Sequence, residues 1–506
     1  MKKLILSFAV AVLCVPTTAQ QYIIVDNETP ILASDVDKIT YEQDEQFSSR
    51  LLPAVLAADP KARLFSGALQ ETGMTEMLCK YEYEYYPPRE NYSIMTGTWD
   101  PIVYYYNTNR NKMFTMFVET DDVLAAQGIN SIDDLKAYAK KVYDAVYPED
   151  ADISDPKDSR NSLNRFLAYH ILPFGCNYWN LTYYDGKQTD KVIDTDMTDI
   201  AAWYGTVLAN ASLKCSYPMG TESGVYLNRR GLKDGPDKYG KQIRGAKVVP
   251  GDSNDSDPFT HQAFNGYYFY IDRILAYDKA TQEDVLGSEL WRVDFKALSP
   301  DIMNNAEDLR GNFLVYDDNY PKDTRNGRNY AYDWNCLENI TAENMNAPLL
   351  AGRAISYFPT YLCDMVRVFG EGGSITIKLP PLPPGEWEIR MGPPPAQSSC
   401  PKLKVYLNDQ VRIDSLDLNQ NYDEADFPGK MKAPVECRFN NGGSGNWASI
   451  SEYYDNVRYP LGRITTDGKS DNYLKLEYLS DGIQGNNYIL LLDYFEFVPK
   501  PIYDNE

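Results

Sequence analysis

Histidine is almost missing from this chain. Its 506 residues hold only two, His170 and His261, so a Ser-His-Asp triad, a Cys-His pair or a multi-histidine metal centre has too few parts. No GxSxG, HExxH, Walker-type loop or helix-opening GxGxxG occurs, which removes the mechanisms those motifs carry. No two cysteines stand at CxxC spacing, and a zinc ribbon goes with them. Beyond the N-terminus no stretch approaches the roughly 20 apolar residues of a membrane-spanning helix. There is no long basic run, and the formal charge is −23. Nucleic acid and anionic membranes are therefore poor partners. No metal and no cofactor is expected.

What is present begins with an export leader over residues 1–19. Lys2 and Lys3 are followed by an apolar stretch from Leu4 to Val15, then by 17-TTA-19 before Gln20. Cys14 follows the bulky Leu13 where a lipoprotein signal favours a small residue, so plain secretion is expected. The pattern fits the periplasm or cell surface of a Gram-negative bacterium. After the leader stand Cys79, Cys176, Cys215, Cys336, Cys363, Cys400 and Cys437. An odd count leaves at least one thiol unpaired within the chain. Cys400 and Cys437 are within reach of a bridge, but spacing alone does not fix connectivity.

Carboxylates number 72, so a facing pair of the glycosidase kind, roughly 5–10 Å apart, is not removed by composition. The run 252-DSNDSD-257 has oxygen ligands at alternate positions, yet it lacks the sixth-position glycine and distal glutamate of a calcium loop. It reads as a polar surface loop. Tyrosine is the positive anomaly, with 41 residues against 18 Phe and 7 Trp. It clusters in 81-YEYEYYPP-88, 104-YYYN-107, 178-YWNLTYY-184 and 453-YY-454. A tyrosine offers a flat face for a sugar ring or protein surface and a hydroxyl to bond it. Half-buried strand positions suit it equally. Tyr104, Tyr105, Tyr106, Tyr178 and Trp179 are the candidate ligand contacts, with 81–106 as the expected binding loop.

Three blocks organise the first half. The stretch 113-MFTMFVETDDVLAAQGINSIDDL-135 reads as a strand entering a helix start, 163-LNRFLAYHILPF-174 as an amphipathic helix ending at Pro173, and 263-AFNGYYFYIDRILAYD-278 as an alternating strand. In order and spacing they resemble the blocks of a fasciclin domain. The match rests on Thr120 and Asp121, on the Tyr169–His170 pair, and on the Asn265–Gly266 turn before a strand carrying Asp272. Upstream, 47-FSSRLLPAVLAADPKARLFSGALQETGMTEML-78 resembles that family's opening helices. Glu119 departs from it, standing where proline is usual, and segments 79–112 and 231–262 are long for its connections. The resemblance implies an α+β adhesion or ligand-binding module without catalytic apparatus. In animal members the Tyr-His pair is implicated in cell binding. A structural role, with Tyr169 in the core and His170 latching a neighbouring backbone, is the expectation for this chain.

The second half has another texture. Helical periodicity extends through 288-SELWRVDFKALSPDIMNNAEDL-309 and then gives way to short alternating stretches: 362–370, 374–380, 386–392, 402–408, 472–480 and 487–499. Their turn-rich separation predicts a β-sandwich. Gly385 to Trp387, 405-VYLND-409 and Leu492 to Pro499 are similar to strands of galactose-binding-like jelly rolls found in carbohydrate-binding modules. The expected division is 1–19 leader, 20–44 extension, 45–311 fasciclin domain with its following helix, and 312–506 jelly-roll-like sandwich. The pairing resembles exported Bacteroidetes proteins associated with glycan uptake. The expected function is non-enzymatic recognition of a glycan or cell-surface protein in support of polysaccharide capture. A carboxylate-pair hydrolase or lyase and a structural component of a surface assembly are the alternatives.

Overall fold

A computed structural model describes residues 48–79, 109–182, 201–218, 223–231, 235–237, 239–251, 258–305, 309, 329–353, 364–370, 372–392, 401–418, 457–479 and 489–505, with strand residues 22–23, 31–32, 83–85, 92–94, 102–106 and 431–432. The leader with Cys14, the 252–257 run, Tyr453–Tyr454 and Cys363, Cys400 and Cys437 lie outside these residues. The described chain mixes helices with several sheets, and its second half is sandwich-like. None of its described helices is long and apolar enough to cross a membrane.

In the first half, helices Leu52–Ala57, Arg63–Glu71, Ile132–Val146 and Ser162–Tyr169 share a core with an eight-stranded sheet. Side-chain caps start the last two. Ser131 Oγ accepts from Asp134 N at 3.1 Å, and Asn161 Oδ1 accepts from Leu163 N at 3.0 Å, satisfying amides that a helix start leaves open. Next to the edge strand Ile171–Leu172 lies the parallel pair Phe114–Glu119 and Gly266–Ile271. Every residue of Phe114–Glu119 is buried, as a doubly covered strand requires. The sheet then runs through Ala246–Val249, Tyr226–Leu227 and Ser212–Ser216 to Ala201–Gly205. It curls back on itself, because Val207 N donates to Ile171 O at 2.8 Å beside the opposite edge strand.

The second half contains two five-stranded sheets and one of six. Alternation explains the pairing. Leu403, Val405 and Leu407 point inward opposite Tyr478, Leu476 and Leu474, while Lys402, Lys404 and Tyr406 face outward. The expected strands at 364–369, 374–378, 385–392, 402–407 and 473–479 are present, and the 487–499 stretch divides at Asp493 into Ile489–Leu492 and Tyr494–Pro499.

Two segments cross the expected 311 boundary. Trp291–Asp294 lies in the stretch read as helical, yet it is a strand antiparallel to Tyr494–Pro499. This corrects the helix reading of 288–309. A short 3-10 turn, Phe295–Leu298, follows, and Pro300 then opens the α-helix Pro300–Met303, since its ring cannot continue a helix from upstream. The tyrosine segment Ile102–Tyr106 pairs in parallel with Tyr330–Tyr332 and joins the six-stranded sheet. One hydrophobic cluster accordingly spans both halves, from Leu52 to Tyr503. At the junction Trp203 stacks on Trp291 with ring centroids 6.0 Å apart, and Trp387 meets Trp291 edge-on at 5.4 Å. Beneath them Lys214 Nζ bonds Glu289 Oε2 at 2.9 Å, both side chains fully buried.

Candidate functional site

The six residues behind the family resemblance hold elements together. Thr120 Oγ1 accepts from Val123 N as the cap of the next helix. Asp121 Oδ1 accepts from Leu64 N at 3.0 Å, and its Oδ2 accepts from Arg63 Nε at 3.0 Å, tying that helix start to Arg63–Glu71. Asn265 accepts from Leu52 N at 2.8 Å and donates to Leu78 O at 2.6 Å. Gly266 has φ +144°, and a Cβ there would stand 1.9 Å from Phe114 O, so only glycine permits the close parallel pairing. Tyr169 donates to Ser212 O at 3.0 Å and accepts from Asn228 Nδ2 at 2.9 Å. Burial raises its hydroxyl well above the ordinary range.

His170 is wholly buried. Its Nδ1 donates to Phe166 O at 2.7 Å, a carbonyl of its own helix, and its Nε2 lies 2.9 Å from Glu119 Oε1. That oxygen also accepts from Leu275 N at 2.9 Å. The histidine thus fastens the helix end to the Phe114–Glu119 strand through Glu119, a carboxylate where the resembled pattern has proline, which would offer no partner.

The tyrosine triplet is split by strand alternation. Tyr104 is fully buried between Ala331 and Leu350, and its hydroxyl meets the buried Arg367 guanidinium. Burial raises that hydroxyl although Arg367 opposes the shift. This corrects the placement of Tyr104 in a ligand platform, because its ring faces the sheet interior. Tyr105 points outward and is 41% exposed, while Tyr106 is half-buried. The rest of 81–106 outside its described strands carries no structural statement.

Tyr178 and Trp179 open one short helix, the first buried and the second exposed. Asn177 caps the short helix Tyr178–Leu181, its Oδ1 accepting from Asn180 N at 3.1 Å. Tyr178 is turned inward, stacked on Phe259 at 4.1 Å with the rings 9° from parallel, and its hydroxyl oxygen accepts from Val225 N at 3.2 Å. Trp179 stands edge-on to Tyr178 at 5.0 Å and is 52% exposed. The three rings form a step whose outer tread is an indole set against the buried Tyr178, which in turn stacks on the half-buried Phe259.

Beside the step a second aromatic is ringed by cations. Tyr226 and Lys247 are directly opposed across antiparallel strands, and Lys247 Nζ lies 5.2 Å from the ring centroid. Arg244 and Arg229 approach it at 5.6 and 5.7 Å. Gly245 sets the turn that brings Arg244 in. Its φ is +68°, and a Cβ would stand 2.1 Å from Leu227 O. Asp272, named in the third sequence block, holds Arg244 Nη2 at 2.6 Å. Burial would raise the Asp272 carboxyl, but Arg244, the Lys247 amide and Arg273 outweigh it and hold it below the usual range.

Phe259, Tyr226, Arg229, Arg244 and Lys247 were not reached by motif reading. A signal existed: residues 223–249 carry seven Lys or Arg against two Asp, an inversion of the chain's charge that is spread too thinly to form a run. A further titratable cluster sits elsewhere. Asp59 accepts hydroxyl hydrogens from Tyr268, at 2.8 Å, and from Tyr270, and His261 stacks on Tyr268 at 4.5 Å. Burial pushes the Asp59 carboxyl up, but Tyr270, the Lys61 amide, Tyr268 and His261 together bring it below its ordinary value. In the sandwich, Glu496 lies on Arg292 at 2.7 Å, and Glu388 lies on Arg390 at 2.8 Å and Arg463 at 2.9 Å. Among the described residues no group of three or more His, Cys, Asp or Glu is placed to hold a metal ion.

No family model matches the chain, and no curated protein matches it. Among solved structures, the insecticidal crystal protein Cry2Aa aligns over 75% of this chain and 69% of its own length, at 10% identity and a TM-score of 0.18. A likeness that slight carries no argument about fold or function.

Proposed function

We propose that this chain is an exported recognition protein that binds without turnover, a fasciclin-like α+β module followed by a jelly-roll-like sandwich. Its ligand is a glycan, met at the periplasm or cell surface of a Gram-negative bacterium in support of polysaccharide capture. The observation that carries this reading is Trp179: a large ring left half exposed on a base of Tyr178 and Phe259 that fixes its orientation. Exposed indoles lose apolar contact with nothing in return unless a partner covers them, and a pyranose face is a chemically matched cover. A pre-oriented ring also loses little freedom when the sugar stacks. The scarcity of histidine and the engagement of Glu388 and Glu496 by guanidinium groups favour binding over hydrolysis.

Affinity electrophoresis of the full chain against a panel of polysaccharides tests the reading. Retardation with dissociation constants on the order of micromolar to millimolar is expected, reduced by Trp179→Ala with circular dichroism unchanged. Incubation with the retained polysaccharide should release no new reducing ends. Product that grows with protein concentration and vanishes on substituting one Asp or Glu would replace this reading with a hydrolase.

A further inference from the structure

Trp179 stands on a helix of four residues, Tyr178–Leu181. A helix that short has no stability of its own, so the direction of its indole is set by whatever holds the chain on either side. At the exit, the Tyr204 hydroxyl donates to Leu181 O at 2.7 Å. At the entry, residues 173–177 are held by two side chains from distant parts of the sequence.

The edge ladder stops at Leu172, opposite Thr115, where Pro173 has no N–H to continue it. The Thr115 side chain takes over beyond that point. Its hydroxyl donates to Phe174 O at 2.8 Å and accepts from Cys176 N at 2.9 Å. Between those contacts Gly175 N donates to Asn304 Oδ1 at 2.8 Å. Three successive residues thus each have a backbone group engaged by a side chain, and Asn177, the cap of the Trp179 helix, follows directly. A Cβ on Gly175 would stand 2.9 Å from Met113 Cβ, so the segment lies tight against the start of the Phe114–Glu119 strand.

Asn304 is itself well anchored. It ends the helix Pro300–Met303, and the residues around it are bonded into the second half. Asp301 Oδ2 accepts from Glu338 N at 2.7 Å, Asn305 Nδ2 donates to the Tyr332 hydroxyl at 2.7 Å, and Asn339 Nδ2 donates to Leu298 O at 3.2 Å. The approach to Trp179 is therefore clamped between a strand of the first half and a helix fastened to the second. Thr115 is fully buried, and the Asn304 oxygen is turned to Gly175. Each acts through the backbone that carries the indole.

From this clamp we infer that Thr115 and Asn304 are positioning residues for Trp179, and that the second half of the chain thereby fixes a recognition surface carried by the first. The inference rests on the reading of Trp179 as a glycan contact.

Fluorine NMR of the full chain labelled with 5-fluorotryptophan tests it. The chain has seven tryptophans, and the line missing from Trp179→Ala belongs to Trp179. In Asn304→Ala that line should shift or broaden under native conditions, with the lines of Trp203 and Trp387 in place. Retardation by affinity gels of dextran, xylan or polygalacturonate, whichever holds the parent most, should weaken about fivefold, the worth of one hydrogen bond. Asn304→Asp keeps the acceptor and should return both line and retardation to those of the parent. Thr115→Val keeps the volume without the hydroxyl and should act like Asn304→Ala, while Thr115→Ser should restore most of the effect. This second pair decides the matter if Asn304→Ala does not fold. Variants that lose stability while the Trp179 line stays in place would make both residues merely structural and overturn the inference, leaving glycan binding standing. A displaced line with unchanged retardation would overturn it as well. A displaced line in a chain that no polysaccharide gel retards would keep the clamp and remove the glycan reading.

Discussion

Two tyrosine-rich segments look alike in the sequence and end in opposite environments. Residues 102–106 form a strand inside the six-stranded sheet, with Tyr104 sealed against Arg367. Residues 178–181 form one short surface helix that turns Tyr178 inward and leaves Trp179 outside. The difference lies in period. In a strand consecutive tyrosines fall on opposite faces, so a triplet cannot present one flat platform. In a helix start adjacent rings sit about a quarter-turn apart, which lets one brace the other. An insertion relative to a family pattern is therefore not by itself a binding loop; this one supplies strands to the second half of the molecule.

The strongest way to break that comparison is to cut the chain. A fragment of residues 312–506 lacks Ile102–Tyr106 and Trp291–Asp294, which pair with Tyr330–Tyr332 and Tyr494–Pro499. It also lacks Trp291, on which Trp387 packs. The fragment should show no cooperative thermal transition and should aggregate through its opened sheet edges. A soluble fragment with a sharp transition near that of the whole chain would mean the two segments merely decorate an independent sandwich.

Tyr104→Ala comes next. It removes a fully buried ring and leaves the Arg367 guanidinium inside without its hydroxyl. Chemical denaturation should record a loss of about 3–5 kcal/mol, with glycan retention by the folded fraction unaltered. Lost retention at unchanged stability would return residues 104–106 to the binding surface.

His170→Ala tests whether the motif residues belong with the buried segment or the exposed one. Breaking its bonds to Glu119 and Phe166 should cost stability toward the lower end of roughly 3–5 kcal/mol, because Glu119 keeps the Leu275 amide as a donor. Retention should again be unaltered. A stable variant that no longer binds would make His170 a contact residue.

Much of this arrangement was legible locally. The alternation of Leu403, Val405 and Leu407, the Asn265–Gly266 turn and the cap at Thr120 all follow from short-range rules, and each lies where those rules put it. What escaped was non-local. Nothing near Tyr104 states that its strand will pair with residues 330–332, and nothing near Trp291 states that its partner lies at 494–499. Local periodicity gave 288–309 a helix because only the distant strand tips Trp291–Asp294 the other way. The cation-ringed Tyr226 was hidden for the same reason. Arg229, Arg244 and Lys247 are dispersed in sequence and converge only when two short strands pair. Trp179 was visible as an aromatic, but the inward turn of its neighbour Tyr178 involves Phe259, which stacks on it from a distant stretch of the chain.

Trp179→Ala should leave stability within about 0.5 kcal/mol, since more than half the ring already faces water, while lowering affinity for the retained glycan about tenfold or more. A fall in stability with affinity intact would mean that the indole seals the Tyr178–Phe259 stack and is not the tread of a step.

The smallest effect is expected at Tyr105, and it is the most direct control on the comparison. Tyr105 and Trp179 are both large, aromatic and substantially exposed, at 41% and 52%. If exposure of a ring were sufficient for binding, the two substitutions to alanine would act alike. Tyr105 differs in its setting: it projects from a strand whose neighbours Tyr104 and Tyr106 are turned away or half-buried, with Tyr104 fixed to the interior. Tyr105→Ala should therefore change stability by less than about 0.5 kcal/mol and leave gel retardation as in the parent. Matching losses of retardation in Tyr105→Ala and Trp179→Ala would instead join the two segments into one extended aromatic surface and dissolve the distinction between them.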